Sequence, residues 1–388
     1  MDVLLDMTPL NLASRYRGIG MYVLNLGQAL AALSSQERQG LEIRSLIELQ
    51  GPAVVGGLQW QDRRSASTEG RDQMRWIFGR RTVLVPTLRR LRPGLFHVTE
   101  SLGTPRGSFV PRVNTCHDLL RHELHREYLA GRPIYRRLLQ MADASRYHSA
   151  RRVIAISEHT ADSLVRILRL PAKRIDVIPH GVNTERFHPP RDEAEQEAQQ
   201  ARRAALDIGD KPYATYIGGA DWRKSVPTLI RAFGQLPTSM DVELVLAGYH
   251  TTDEKLQVDA ALAEIDRPDR VVRLGFVEES DIVAILAGAQ ALAFPSIGEG
   301  FGLPVLEAMG AGCPVITTSA MALAEVAGDA ALIVPPRDEP ALTQALRRVF
   351  TDQSLGADLR RAGLARAARF RWRDTALATV DTYCRALG

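Results

Sequence analysis

Long apolar runs are missing from this sequence. Nowhere does an uninterrupted stretch reach the roughly 18 residues a membrane-spanning helix needs, so any membrane association is expected to be peripheral, at the inner face. Cysteine is scarce: Cys116, Cys313 and Cys384 show neither disulfide-like nor zinc-like spacing, which argues against a stapled module and for reduced, cytoplasmic surroundings. The opening Met1-Asp2-Val3-Leu4-Leu5-Asp6 has an acid where a secretory leader has bases, so no signal peptide is expected. Aromatics make up only 6 % of residues and do not interleave with basic ones, so nucleic acid is not an expected partner. No Asp-x-Asp occurs, which leaves a carboxylate-held divalent cation without support. Cys116, His117, His122 and His125 tempt a zinc reading, but His122-Glu123-Leu124-His125 is one residue short of His-Glu-x-x-His, and no metal is expected.

What is present is the balance of a folded protein, 45 % apolar and 24 % charged over 388 residues, enough for two or three domains. The net charge of +4 conceals an asymmetry. Residues 1–187 hold 28 Lys and Arg against 17 Asp and Glu, the remainder 21 against 28. Tyr135-Arg136-Arg137, Arg80-Arg81 and Arg89-Arg90 carry much of this basic character. A basic first half fits an anionic partner such as phosphate, an acidic glycan or lipid; arginine-rich composition alone also accounts for it.

Short apolar runs alternate with helical patterns, the signature of parallel α/β sheets. Strands are expected at Val3–Asp6, Leu41–Leu49, Leu95–Val98, Val113–Cys116, Val153–Ile156 and Ile175–Ile178, with a helix from Gly18 to about Leu33. Pro189-Pro190 and the charged stretch after it read as a linker, 189–211, that becomes a solvated helix. A second series follows at Tyr213–Ile217, Glu243–Ala247, Val271–Leu274, Ala291–Phe294, Val315–Thr318 and Ala331–Val334, then helix throughout from Glu339 to Leu387. The expected organisation is a Rossmann-like domain 1–188 completed by 371–388, the linker, and a second such domain 212–370. Ligands of doubly wound sheets bind beyond the carboxyl ends of the strands, here in the cleft between two of them.

The richest segment runs from Ala293 to Met309: a strand ending at Ser296, three glycines in five residues (Gly298, Gly300, Gly302), then Leu303-Pro304 opening a helix. Glycine lets backbone approach a ligand, and proline in the first turn costs no hydrogen bond. Glu299 in the loop and Glu307 on the helix lie eight residues apart. A carboxylate accepts two hydrogen bonds, which suits a vicinal diol; taken alone, Glu307 is also explained as a complement to the helix dipole.

Gly-Glu-Gly-Phe-Gly-Leu-Pro-Val-Leu-Glu-Ala-Met resembles the Glu-x7-Glu signature of retaining GT-B glycosyltransferases of family 4. Ile178-Pro179-His180-Gly181-Val182-Asn183 is similar to that family's turn before its linker, Tyr216 through Lys224 to its phosphate-contacting loop, and Phe370-Arg371-Trp372 to the start of a final helix that crosses back to the first domain. The resemblance covers essentially the whole chain. It implies an α/β GT-B fold, two Rossmann-like domains facing across a cleft, retention of anomeric configuration, and a nucleoside-diphosphate sugar as co-substrate with neither metal nor cofactor. It places Glu307 on the donor ribose, and Glu299 with Gly300, Phe301, Gly302 and Leu303 beside the sugar.

Arg223 and Lys224 follow the strand-ending Gly218-Gly219. Cations there stabilise the charge gathering on a departing diphosphate; the plainer reading is a solvated helix start. Gly218-x5-Lys224-Ser225 is a near miss for a P-loop, with Arg223 where the second glycine belongs, so ATP hydrolysis is not expected. His117-Asp118 ends a first-domain strand, where the resemblance puts His117 near the donor sugar, although a lone histidine is more often structural. Gly18-Ile19-Gly20 fails as a dinucleotide fingerprint because Val23 takes the third glycine's place, which disfavours an oxidoreductase. In the family this turn lies over the diphosphate and toward the acceptor, and relatives often read Gly-Ile-Gly-Arg-Tyr where Met21-Tyr22 stands here. Ser157 is explained as a helix N-cap.

The expected activity is transfer of a hexose from a nucleoside-diphosphate sugar to a glycan, lipid-linked or small-molecule acceptor. The catalytic group is His117, Arg223, Lys224 and Glu299. The opening Asp6-Met7-Thr8-Pro9 with Arg17-Gly18-Ile19-Gly20 resembles bacterial polysaccharide mannosyl- and rhamnosyltransferases, which favours a GDP-sugar. The rivals are a nucleotide-sugar epimerase of the same architecture and a non-catalytic sugar-nucleotide-binding scaffold.

Overall fold

The computed structural model describes residues 1–11, 18–48, 54–57, 83–101, 104, 110–129 and 133–388. Arg17, Arg80 and Arg81 lie outside them. The chain divides into two units, Met1–Gly181 with Arg371–Gly388, and Val182–Phe370.

In the first unit seven strands form one sheet in the order β3-β2-β1-β4-β5-β6-β7. They are β1 (Asp2–Asp6), β2 (Glu42–Glu48), β3 (Val54–Gly57), β4 (Leu95–Val98), β5 (Arg112–Cys116), β6 (Arg152–Ala155) and β7 (Ile175–Val177). All pairings are parallel except the edge strand β3, which runs antiparallel to β2. That strand has no counterpart in the sequence expectations. Strand alternation sorts the core onto two faces. Leu4, Leu46, Phe96 and Val98 pack with Leu84, Leu88 and Val110 on one face. Val3, Leu5, Leu95, Val113 and Ile154 pack on the other, under Tyr22, Leu26 and Leu30 of helix Gly18–Ala32 and Val380 and Tyr383 of the terminal helix, Trp372–Leu387. The end of the sequence thus completes the first unit's core. Gly181 admits this docking, since a Cβ there would sit 2.2 Å from the Trp372 backbone nitrogen.

The second unit repeats the plan with six parallel strands in the order β10-β9-β8-β11-β12-β13. They are β8 (Tyr213–Ile217), β9 (Glu243–Ala247), β10 (Val271–Gly275), β11 (Ala291–Phe294), β12 (Val315–Thr318) and β13 (Leu332–Val334). β8, β11 and β12 are buried along their whole length, as parallel strands covered on both faces must be. Helix Glu193–Ala205 has no buried residue and belongs to this unit, tied to it by Arg202–Asp281.

Two local readings are corrected. β11 ends at Phe294 rather than Ser296, whose hydroxyl and carbonyl are taken up by the loop and by Thr318. The segment from Glu339 to Leu387 is three helices, Glu339–Thr351, Gln353–Ala367 and Trp372–Leu387. Asp352 breaks the first from the second by leaving helical geometry (φ −116°, ψ 92°) and accepting a hydrogen bond from Leu355 N. Arg371 is likewise extended before the third.

Candidate active site

In each sheet the strand order reverses direction beside the first strand, between β1 and β4 and between β8 and β11. Such switch points open a crevice at the carboxyl ends of the strands. In the second unit the two loops flanking this point hold most of the expected site residues.

The loop after β8 starts at Gly218, whose φ of +143° only glycine adopts without strain. It lies so close to the end of β9 that a Cβ on Gly248 would sit 2.0 Å from the Gly218 carbonyl oxygen. The Tyr216 hydroxyl donates to Gly219 O at 2.5 Å. Asp221 caps the single turn Trp222–Lys224 and binds the Arg223 guanidinium, Nε to Oδ1 at 2.9 Å.

The loop after β11 is stitched to it. Ile297 N donates to Arg223 O at 2.7 Å. The Lys224 ammonium meets Glu299 Oε1 at 2.6 Å, and the same oxygen accepts from Ser296 Oγ at 2.6 Å. Lys224 Nζ also stands 5.0 Å from the Phe294 ring centroid. The Lys224 and Glu299 side chains are only 17 % and 14 % exposed, so this ion pair is weakly screened. Gly302, at φ +111°, precedes helix Leu303–Gly310, and no side chain caps that helix. Phe301 is buried and meets Phe370 edge-on, which anchors the glycine loop.

Glu307 projects from that helix. Burial pushes its carboxyl from an ordinary 4.5 up to about 7, opposed by the Arg186 charge and reinforced by Glu279, which itself pairs with Arg186 at 2.7 Å. The structure therefore unites Lys224, Glu299 and the Arg223 backbone in one contact set, and leaves Glu307 with a separate charged neighbourhood on the same helix-loop unit.

In the first unit His117 follows β5. Its Nε2 lies 2.8 Å from Thr99 O, at the end of β4. Asp118 Oδ1 accepts from Leu120 N at 3.1 Å, just before the short helix Leu120–Glu123. Gly18 and Gly20 begin helix Gly18–Ala32; among the described residues a Cβ on Gly18 would meet nothing within 4 Å. His122 pairs with Asp143 and His125 with Arg136. Among the described residues no group of three or more His, Cys, Asp or Glu is placed to hold a metal. Ser157 caps helix Glu158–Leu168 through Thr160 N.

Sequence reasoning gave no role to Asp221, Ser296, Arg186 or Gly248. The Asp-x-Arg spacing signals a turn cap, but Arg186 and Gly248 meet partners from elsewhere in the chain, and Ser296 bonds to distant Arg223 O as well as to Glu299 in its own loop.

Comparison with known proteins decides the family. Residues 16–186 match Glycosyltransferase Family 4 and residues 211–352 match Glycosyl transferases group 1. The chain belongs to glycosyltransferase family 4. It is 27 % identical over 384 residues to the O-antigen chain mannosyltransferase B of Escherichia coli, covering 94 % of this chain and 95 % of that one. It is 28 % identical over 288 residues to the MMP alpha-(1->4)-mannosyltransferase of Mycolicibacterium hassiacum, 71 % of this chain and 66 % of that one. Among solved structures, sucrose-phosphate synthase from Thermosynechococcus elongatus superposes with a TM-score of 0.78 at 22 % identity, over 99 % of this chain and 98 % of that one. Anabaena HepE, solved with UDP and glucose, gives 0.72 at 16 %, over 99 % of this chain and all of the other. This family 4 member has the GT-B fold, two Rossmann-like α/β units, and is a glycosyltransferase.

Proposed function

We propose that this glycosyltransferase moves a hexose, with mannose from GDP-mannose the leading candidate, from a nucleoside-diphosphate sugar to a glycan, lipid-linked or small-molecule acceptor with retention. The observation that carries the reading is the Lys224–Glu299–Ser296 contact, which joins the two loops at the switch point of the second sheet. A diphosphate lies well against Lys224 and Arg223, whose charges stabilise the leaving group as the glycosidic bond breaks. Glu307 takes the ribose diol; Glu299 and the backbone of Gly300–Leu303 take the sugar. His117 acts on that sugar, and the acceptor binds by Gly18–Gly20. Charge stabilisation makes a strong general acid unnecessary, and a same-face departure lets a phosphate oxygen accept the acceptor's proton. No metal or cofactor enters this scheme. The mannosyltransferase relatives support the donor sugar, and the nucleotide bound in Anabaena HepE supports the donor class.

The test is product analysis. The enzyme is incubated with GDP-mannose, GDP-rhamnose or UDP-glucose and oligomannoside acceptors, with and without a chelator. An α-linked product from an α-linked donor, formed equally in chelator, is expected. An inverted anomer, donor interconversion without acceptor, or loss of activity on chelation overturns the scheme.

The acceptor side also bears on membranes. Among the described residues no helix is long and apolar enough to cross one. Helix Pro133–His148, however, exposes Ile134, Leu138 and Met141 at positions i, i+4 and i+7, with Arg136 and Arg137 exposed alongside. An apolar stripe flanked by cations suits an anionic bilayer surface. Flotation with phosphatidylglycerol vesicles but not phosphatidylcholine vesicles, lost in Leu138→Glu, is expected; equal flotation with both removes the contact.

A further inference from the structure

Four polar side chains lie in the apolar heart of the first unit, all at most 1 % exposed: Tyr22, His97, Thr115 and Tyr383. They form one chain of hydrogen bonds. Tyr383 OH lies 2.7 Å from His97 Nδ1, His97 Nε2 lies 2.8 Å from Thr115 Oγ1, and Thr115 Oγ1 lies 2.9 Å from Tyr22 OH. The chain ties the terminal helix to β4, β5 and helix Gly18–Ala32. Burial drives His97 down to about 3, so its ring stays neutral, with one nitrogen donating and the other accepting. A run of hydroxyls and a neutral imidazole is then satisfied in a single direction.

This chain ends against the candidate catalytic histidine. The Tyr22 ring meets the His117 ring edge-on, with centroids 5.0 Å apart and planes at 81°. Its face stacks on His180 at 4.8 Å, and His180 stacks on Trp372 at 5.6 Å. Stacked rings hold their planes but slide past each other at little cost. A hydrogen bond tolerates only tenths of an ångström. The stack therefore sets the plane of Tyr22, and the Thr115 bond sets its place within that plane. Thr115 Oγ1 is held in turn by His97, and His97 by Tyr383.

His117 is fixed on its other side by Thr99. The Thr99 carbonyl only accepts, so His117 Nε2 carries the proton and Nδ1 is the nitrogen left for a ligand. Thr99 is itself pinned, its hydroxyl donating to Asp6 O at 2.6 Å.

We propose that His97 and Tyr383 are positioning residues for His117, acting through Thr115 and Tyr22 although neither is hydrogen-bonded to it. The purpose is to hold His117 Nδ1 at one location relative to the end of β5. A purely apolar core packs as densely there but leaves the Tyr22 ring free to slide, and a misplaced catalytic group loses rate steeply. The inference rests on the reading of His117 as a group that meets the donor sugar.

A double-mutant cycle tests it. Tyr383→Phe removes one hydroxyl and keeps the ring, as does Tyr22→Phe; His97→Leu breaks the chain, and His97→Gln restores a donor toward Thr115. Each is measured in the natural and the His117→Ala backgrounds, with whichever of GDP-mannose and UDP-glucose is turned over faster. In the natural background Tyr383→Phe and Tyr22→Phe are expected to lower kcat about tenfold with donor KM within about twofold, and His97→Gln to recover most of what His97→Leu loses. In the His117→Ala background the same changes are expected to alter kcat by less than about twofold. Equal losses in both backgrounds would mean a structural role only and would overturn the proposal. Nitrogen-15 spectra of the histidine rings give a readout that needs no donor: His117 is expected as the Nε2–H tautomer, broadened or mixed in Tyr22→Phe. An unchanged His117 signal in both Phe variants overturns the positioning claim. Natural turnover in His117→Ala alone instead overturns the catalytic reading of His117, leaving the spectra to decide the positioning.

Discussion

Replacing Glu307 by glutamine is expected to make the protein more stable while making it a worse enzyme. Burial lifts the Glu307 carboxyl from an ordinary 4.5 to about 7. The folded state therefore holds a proton on it more tightly than the unfolded chain does. That advantage is complete below the unfolded value and disappears as pH rises through the folded one, so stability falls across this interval. The gap corresponds to roughly 3 kcal/mol at pH 8. Glutamine keeps the shape and cannot ionise. Glu307→Gln is expected to gain up to ~3 kcal/mol near pH 8 and almost nothing near pH 4, or roughly 6–12 °C in the melting of a unit this size. A carboxylate that receives two ribose hydroxyls has a reason to tolerate this cost. The same substitution is accordingly expected to weaken nucleotide binding by about 10- to 100-fold, the worth of hydrogen bonds to a charged acceptor. Calorimetric melts of both proteins from pH 4 to pH 9, with and without GDP or UDP, read both effects. A variant that melts at or below the natural temperature at pH 8 would refute the buried-carboxylate argument. Undiminished nucleotide stabilisation would refute the ribose assignment.

Lys224→Ala removes the cation nearest Glu299 and is expected to lower kcat by on the order of a hundredfold or more, read by donor turnover; near-natural turnover would remove Lys224 from the leaving-group role. Gly248→Ala forces a side chain into φ +145° and against the Gly218 carbonyl; a loss of ~3 kcal/mol in denaturant titration is expected, with nucleotide affinity reduced at least tenfold, and an unaffected affinity would show that the Gly218 loop does not bind phosphate. Ser157→Ala deletes the cap on Thr160 N and is expected to cost about 1 kcal/mol in the same titration without changing KM, so a changed KM would give Ser157 a functional part.

Most strands were legible because a buried parallel strand is a short apolar run bounded by turn residues. β8, β9 and β12 fall where the sequence places them, to the residue. The edge strand β3 escaped notice because four residues, two of them glycine, carry no periodicity. The breaks at Asp352 and Arg371 escaped because an alanine- and arginine-rich stretch keeps helical propensity across them, and only capping geometry shows where one helix stops. Candidate site residues stand out in the sequence where polar groups and glycines crowd one loop and the helix after it, as from Glu299 to Glu307. Contacts that depend on the tertiary fold do not. The Lys224 bond to Glu299 and the Ser296 bond to Arg223 O join loops 75 and 73 residues apart, and the chain from Tyr22 to Tyr383 draws on four segments.

Helix Trp372–Leu387 has a consequence for biogenesis. The Val3–Leu5 face of β1 is covered in part by a helix translated only after the entire second unit. During synthesis the later unit can reach its native state while the earlier one still waits for its lid of Val380, Tyr383 and Ala386. The earlier part of the first unit thus emerges with an apolar sheet face only partly covered, and its protection falls to chaperones until helix Trp372–Leu387 has been made.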